Sequence, residues 1–167
     1  GCPWNYINDK TDSGRRRIKG HRVEMLLLLK SFVVLAKIVI RHGGIVCFEW
    51  PAHNTYWNLP DVQDMINSLQ LTDVRFDGCF FNLKSVRSDR SHMYIKKPWR
   101  IYTNCDGIIR ALENCVCPGV DANHIHESCR GDNAKNSERY TVEFAKHIHR
   151  TIMTVMDRGW VLGGETA

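Results

Sequence analysis

One stretch of this sequence, residues 23–40, is far more apolar than the rest: VEMLLLLKSFVVLAKIVI. Its length suits either a membrane-spanning helix or a helix inside a globular core. Glu24, Lys30 and Lys37 interrupt it, and the two lysines, seven residues apart, fall on the same edge of a helix. This pattern favours a core helix over residues 18–42 that is buried on most sides and has one solvent-exposed stripe. It argues against a membrane partner. Residues 43 and 44, both glycine, supply a C-terminal stop.

The other apolar segments predict short strands alternating with helices. Strands are predicted at residues 45–48, 73–83 and 99–103. Helices are predicted at residues 60–69, 106–114 and 141–155, with a Cys/His-bearing irregular loop before the last of them. Residues 1–22 have no regular period and predict a basic loop. The order of elements predicts an α/β fold with a Rossmann-like mixed sheet, in one domain over residues 1–157 followed by a flexible tail at 158–167.

Length and composition exclude several classes of protein. The chain has 167 residues, 43% hydrophobic and 25% charged, which is ordinary for a globular domain and excludes wholesale disorder and collagen-like repeats. Seven cysteines are an odd number and too few for a disulfide scaffold, so the sequence indicates a reducing compartment, cytoplasmic or nuclear. The chain begins without a methionine or a signal peptide, which suggests a fragment of a longer protein.

The cations are concentrated in two places. A formal net charge of +5 fits an anionic partner. Basic side chains next to aromatic ones, as around Trp99, are suited to a phosphate backbone and an unstacked base. For the cations around Trp99, a solvated basic hairpin is the alternative interpretation. The predicted nucleic-acid contacts are Arg15, Arg16 and Arg17 in the first group and Lys96, Lys97 and Arg100 in the second.

Five potential metal ligands fall within 15 residues of the C-terminal half: Cys115, Cys117, His124, His126 and Cys129. Thiolate and imidazole are the ligands that structural zinc prefers, and four are sufficient. The spacing C-x-C-x6-H-x-H-x2-C matches no standard zinc finger. Two interpretations therefore stay open, a zinc site built from four of the five residues and a loop of reduced thiols and surface histidines.

Two further motifs are candidates for chemistry on a base. Cys2-Pro3-Trp4 forms a Pro-aromatic loop whose rigid backbone can hold a flat ring against Trp4. Glu49 follows a predicted buried strand, and ligand crevices of open α/β sheets lie at such carboxyl ends. There the carboxyl group can contact a heterocycle or transfer a proton. A surface loop and a solvated Glu49 are the alternative interpretations.

Taken in order, these motifs resemble a known family. The resemblance rests on GCPW at 1–4, the long helix, FEWP at 48–51, FDGC at 76–79, KKP at 96–98, TN at 103–104 and HIH at 124–126. Together they are similar to the C-terminal half of phage-type and retroelement-associated DNA methyltransferase-like domains, relatives of the cytosine-C5 methyltransferases. The resemblance spans about residues 1–150. It implies a Rossmann-like sheet that binds S-adenosylmethionine through a Gly-rich loop, a Pro-Cys loop with a nucleophilic thiolate, and a strand-end acid that contacts the base.

Carried onto this chain, the resemblance assigns catalytic roles to Cys2, Pro3, Trp4 and Glu49. Trp4 stands where the family has its thiolate, and Cys2 lies two residues early. Aligned instead with the amino-methyltransferases, Trp4 would stack a flipped base. The sequence contains no strand followed by a Gly-x-Gly loop, so the half that binds S-adenosylmethionine is expected to be missing.

Two functions remain open from the sequence. The first is an S-adenosylmethionine-dependent, nucleic-acid-directed DNA methyltransferase-like domain of a mobile element or virus, as a fragment or an inactive remnant. The second is a non-catalytic nucleic-acid-binding or scaffold domain stabilised by zinc. Both predict nucleic acid as the partner.

Overall fold

The computed structural model describes the backbone of residues 3–159 and the side chains of residues 6–157. The chain is mixed α/β, as predicted, and its sheets are small. It forms two compact units. The first comprises Gly1–Thr72 and Tyr102–Asn104, and the second comprises Asp73–Ile101 and Cys105–Ala167. Each unit has its own core.

The first unit begins with helices where the sequence predicts a loop. Helix α1 spans Pro3–Asn8 and helix α2 spans Asp12–Arg41. Thr11 caps α2, because its Oγ1 accepts a hydrogen bond from the Gly14 amide at 3.0 Å. The prediction of a basic loop over residues 1–22 is therefore wrong: arginine and lysine are good helix formers, and the Thr11 cap extends the helix through them. The predicted stop is confirmed, since Gly43 takes a positive φ of 73°.

A strand and a third helix complete the first unit. Strand β1 spans Cys47–Pro51 and helix α3 spans Pro60–Ser68, which starts on a proline with Asp61 in its first turn. The core is an apolar cluster whose buried members come from α2, α3 and the segments around them: Leu29, Ala36, Val46, Trp57, Val62, Met65, Ile66, Leu69, Leu71 and Tyr102. The only α2 side chains in this buried set are Leu29 and Ala36. The prediction that α2 is buried on most sides is wrong, because one face alone packs inward.

Most of the remaining strands and helices belong to the second unit, although Thr72, Tyr102 and Thr103 belong to the first. Strands β2 and β4 span Thr72–Asp77 and Pro98–Thr103, and the three-stranded sheet has the order β1-β4-β2. Strands β3 and β5 span Tyr94–Ile95 and His126–Glu127 and pair in parallel, with Tyr94 opposite His126. The helices are α4 at Asp106–Leu112, α5 at Asp132–Asn136 and α6 at Val142–Gly159. Predicted strand 73–83 is shorter than expected, because the chain turns into a 3-10 helix at Gly78–Phe81.

The core of the second unit is aromatic. Trp99 is 2% exposed, and its ring lies 5.5 Å from that of Phe76 and 5.8 Å from that of Phe144. Gly78 lies against this ring: a Cβ there would stand 3.0 Å from two Trp99 ring carbons and 2.8 Å from Leu83 Cδ2. The absence of a side chain at Gly78 allows the chain to turn directly over this ring after β2.

The Asn104 side chain connects two backbone segments of the first unit by hydrogen bonds. Its Oδ1 accepts the Val46 amide at 2.8 Å and its Nδ2 donates to the Gly44 carbonyl at 3.0 Å. We expect Asn104→Ala to lower the free energy of unfolding by about 1–3 kcal/mol, because the Val46 amide belongs to a residue that is 6% exposed and loses its partner. Urea denaturation measures this cost. Asn58→Ala, at an exposed position, is the control, and an equal loss in both variants would contradict the assignment.

Candidate metal centre

The turn that follows strand β2 provides the first side chain of the site. The strand ends at Asp77, and Cys79 follows in the 3-10 helix. The Gly78 amide donates to the Lys97 carbonyl at 2.8 Å, and the Leu83 amide donates to the Gly78 carbonyl at 3.1 Å. Cys79 is 2% exposed. The thiol is therefore held in place by a turn with internal and neighbouring backbone partners.

Asp77 positions the second cysteine. Its amide donates to the Cys115 carbonyl at 2.9 Å, and its Oδ2 accepts the Cys117 amide at 2.9 Å. These two bonds align the chain after α4 beside the end of β2. Cys117 thereby lies next to Cys79, although 38 residues separate them in the sequence.

Two histidines come from one extended segment. His126 is the first residue of β5 and His124 precedes it by two residues, and their Nε2 atoms lie close together. Asp121 Oδ1 accepts the His124 amide at 2.8 Å, and the Tyr94 ring stacks on the His124 ring with centroids 4.3 Å apart. Glu127 anchors the other end of β5, because its carboxylate accepts hydrogen bonds from Ser85 and Asn133.

The four side chains converge on one point. Cys117 Sγ lies 3.7 Å from His124 Nε2 and 3.5 Å from His126 Nε2, and the two Nε2 atoms are 3.0 Å apart. All four ligand atoms, including Cys79 Sγ, lie within 4.8 Å of one another. In a tetrahedral zinc site, sulfur and nitrogen ligands are about 3.6 Å apart and two nitrogens about 3.3 Å apart. The distances among Cys117, His124 and His126 are close to these values, and the four-residue group could hold a metal ion.

The electrostatics of the cluster reflect four donors facing one another. Burial raises the pKa of the Cys79 thiol to about 12, and the hydrogen bond to Cys117, the charge of Cys117 and that of Asp77 add to the rise. Burial lowers the pKa of His126, and His124 and Lys96 lower it further. A neutral imidazole is the form that binds a metal. A divalent cation replaces the thiol protons and removes the repulsion between the donors.

The cluster has an open side. A cavity of about 190 Å³ adjoins it, lined by Cys79 and His124 together with Phe80, Asn82, Tyr94 and Pro118. Such a cavity gives an ion a route to the ligands. Four protein ligands complete a tetrahedral shell, which is the arrangement of structural zinc sites; catalytic sites keep a position for water or substrate.

Three of the five ligands predicted from the sequence belong to the cluster, and two do not. Cys115 is buried, its Sγ donates to the Ala111 carbonyl at 3.2 Å, and burial raises the pKa of its thiol. Cys129 Sγ lies 3.5 Å from Ser137 Oγ. Both side chains contact other partners, and the group that could hold a metal ion in the described residues is Cys79, Cys117, His124 and His126. In the sequence Cys79 stands in FDGC at 76–79, 36 residues before Cys115, so no local spacing marks it as a ligand.

The predicted nucleic-acid contacts have different surroundings. Lys97 Nζ donates to the carbonyl and hydroxyl of Ser137 at 2.6 and 3.2 Å, and Arg100 forms an ion pair with Asp73 at 2.7 Å. These two cations are engaged inside the second unit. Lys96 is exposed. Its contact with nucleic acid stays a prediction.

The first basic group lies on α2. Arg15 pairs with Asp12 and also donates to the Asp9 carbonyl at 2.7 Å. Arg16 and Arg17 are exposed. The three arginines are thus presented by a helix, not by the loop that the sequence predicts.

For most of the predicted catalytic residues, the structure does not describe the side chain. Cys2 and the side chains of Pro3 and Trp4 lie outside the described residues. Glu49 lies in the middle of β1, half-buried, because the strand continues through Trp50 to Pro51. The expectation that it follows the strand end is corrected; its catalytic role stays a prediction.

Comparison of the chain with family models, with curated proteins and with solved structures finds no match in any of the three. The geometry of the site therefore carries the functional argument.

Proposed function

We propose that the second unit is a zinc-stabilised structural module, with Cys79, Cys117, His124 and His126 as the ligands. The observation that carries this proposal is the convergence of two sulfur and two nitrogen atoms within 4.8 Å. Two thiolates and two imidazoles in a tetrahedral arrangement are the donor set of structural zinc. Magnesium and calcium prefer oxygen ligands, and the cluster contains none.

A metal ion at this point would compensate for sparse secondary structure. Between α4 and α6, the described chain forms a two-residue strand and a five-residue helix. A zinc ion joins this segment to the turn after β2 at two positions, through Cys117 and through the His124–His126 pair. Because the ligands come from distant parts of the sequence, the free energy of metal binding contributes to folding of the unit.

Native mass spectrometry of the purified chain tests the ligand set. We expect one zinc ion in the wild-type protein and less than about a tenth of that occupancy in Cys79→Ser under mild chelation, because hydroxyl is a poor substitute for thiolate. Cys129→Ser is the matched control and is expected to keep one zinc ion, since its thiol faces Ser137.

The control also separates the proposed ligand set from the sequence-based one. If Cys129→Ser loses zinc and Cys79→Ser keeps it, the predicted set is right and the proposal is overturned. If neither the wild-type protein nor the variants take up zinc from solution, the second unit does not depend on a metal ion.

The methyltransferase-like function, with its Rossmann-like sheet and S-adenosylmethionine, stays a prediction from the resemblance. The same mass spectrometry with S-adenosylmethionine added tests it. An adduct would support the methyltransferase-like interpretation, and its absence alongside one zinc ion would favour the non-catalytic module.

A further inference from the structure

Helix α2 has a second apolar face whose side chains are largely exposed among the residues that the structure describes. Leu28 is 71% exposed, Leu35 is 63% exposed and Leu27 is 60% exposed. The exposed apolar side chains that form this face, called the outer face below, are Val23, Leu27, Leu28, Val34, Leu35, Ile38 and Val39.

The outer face extends from the side opposite the buried residues to one flank of the helix, where Leu28 and Leu35 lie about 100° from Leu29 and Ala36. Leu27 and Val34 precede the buried Leu29 and Ala36 by two residues each, which places them about 200° away around the helix axis. From Val23 to Val39 the outer face extends about 24 Å along the helix. Glu24 and Ser31 interrupt this face, since each lies three or four residues from Leu27 and Leu28. An exposed apolar surface of this length on a monomer indicates an interaction site.

Positive charge lies at both ends of the outer face. Arg16 lies eleven residues before Leu27 and Arg41 lies seven after Val34, so both align with the face at its two ends. Between residues 16 and 41 the sequence has seven Lys and Arg and one acid, Glu24, which pairs with His21 at 3.6 Å. A partner of this face must bring both apolar surface and negative charge.

The charges argue against a second copy of the chain. A parallel pair of α2 helices would place Arg16 against Arg16, and an antiparallel pair would place Arg16 against Arg41. Like charges would meet at both ends in either case. Nucleic acid offers phosphates but leaves the apolar side chains in water. An anionic lipid surface meets both needs at once, because headgroups reach the cations at the ends while acyl chains receive the leucines.

We propose that α2 docks on an anionic lipid surface, with the outer face in the acyl region and Arg16, Arg17 and Arg41 among the headgroups. This departs from the sequence-based expectation of no membrane partner, which assumed a buried helix. Among the described residues, none of the helices combines the length and hydropathy needed to cross a bilayer. The inference concerns the first unit and does not depend on the zinc centre.

Co-sedimentation of the full chain with vesicles tests the proposal. We expect binding to phosphatidylcholine vesicles that contain phosphatidylserine and weak binding to phosphatidylcholine alone. Arg16→Gln combined with Arg17→Gln is expected to weaken the binding about 30-fold, at about 1 kcal/mol for each cation lost near the surface. Leu28→Glu with Leu35→Glu is expected to abolish it.

The matched control carries the same charge change elsewhere. Val142 and Met153 are 64% and 46% exposed on α6, and Val142→Glu with Met153→Glu should retain vesicle binding. Circular dichroism confirms that each variant is folded. Equal loss in both double variants would overturn the proposal, as would a dimer that Leu28→Glu with Leu35→Glu dissociates. Binding to an RNA or DNA hairpin without binding to vesicles would assign the arginines to nucleic acid and would also overturn it.

Discussion

Withdrawal of zinc by a strong chelator is expected to abolish cooperative folding of the second unit while the core of the first unit stays protected. Structural zinc contributes roughly 10–16 kcal/mol of apparent binding free energy in small zinc-dependent domains, which is comparable with the whole stability of a domain. Without the ion, the buried Cys79 thiol and its three neighbours face one another with no cation between them. We expect the segment from α4 to α6 to detach first.

Hydrogen exchange measured by mass spectrometry distinguishes the two units. Peptides from residues 73–101 and 105–157 should lose protection after chelation, whereas peptides containing Val62, Met65 and Ile66 of α3 should keep it. Added zinc should restore the original pattern. Release should become easier as the pH falls, because protons compete with zinc for the thiolates and imidazoles. Unchanged exchange in the second unit would contradict the structural role of the metal.

Replacement of Trp99 by alanine is expected to have the second-largest effect. The side chain is 2% exposed and packs among Phe76, Tyr140 and Phe144. Its removal leaves a large cavity, and buried tryptophan or phenylalanine truncations cost about 3–5 kcal/mol. Because Gly78 rests on the same ring, the variant should also release zinc at a lower chelator concentration through displacement of Cys79.

Urea denaturation of the zinc-loaded protein measures the cost, and competition with a chromogenic chelator measures zinc retention. Phe80→Ala is the matched control, since Phe80 neighbours Cys79 but is 48% exposed. We expect it to cost less than about 1 kcal/mol, as surface substitutions generally do. A Trp99→Ala cost as small as that of the control would show that the aromatic cluster does not support the unit.

The sequence predicted those elements whose pattern is local. Helix α3 was recognisable from Pro60 at its first position and an apolar period of three and four, and α4, α6 and β4 were predicted within a few residues. The missed helix at residues 12–22 lacked apolar periodicity because it is solvated on nearly every side. The sequence also did not predict that the outer face of α2 is exposed. The hydropathy of a helix does not show which of its two apolar faces packs against the core.

The candidate metal site was predictable in part, where its residues are close in the sequence. Cys117, His124 and His126 are close in the chain, so their spacing was informative. Cys79 is brought to them by the two hydrogen bonds of Asp77 with the segment around Cys115 and Cys117. No spacing rule anticipates a contact between residues 38 positions apart.

Most of the element types, the residue types available to a metal and the places where cations are concentrated could be predicted from the amino-acid sequence. These follow from backbone propensities and from chemistry within a few residues. The tertiary structure alone decided which thiols converge, that Lys97 and Arg100 are occupied by Ser137 and Asp73, and which face of α2 stays exposed. The reason is physical: long-range packing and buried hydrogen bonds select among side chains that are chemically equivalent along the chain.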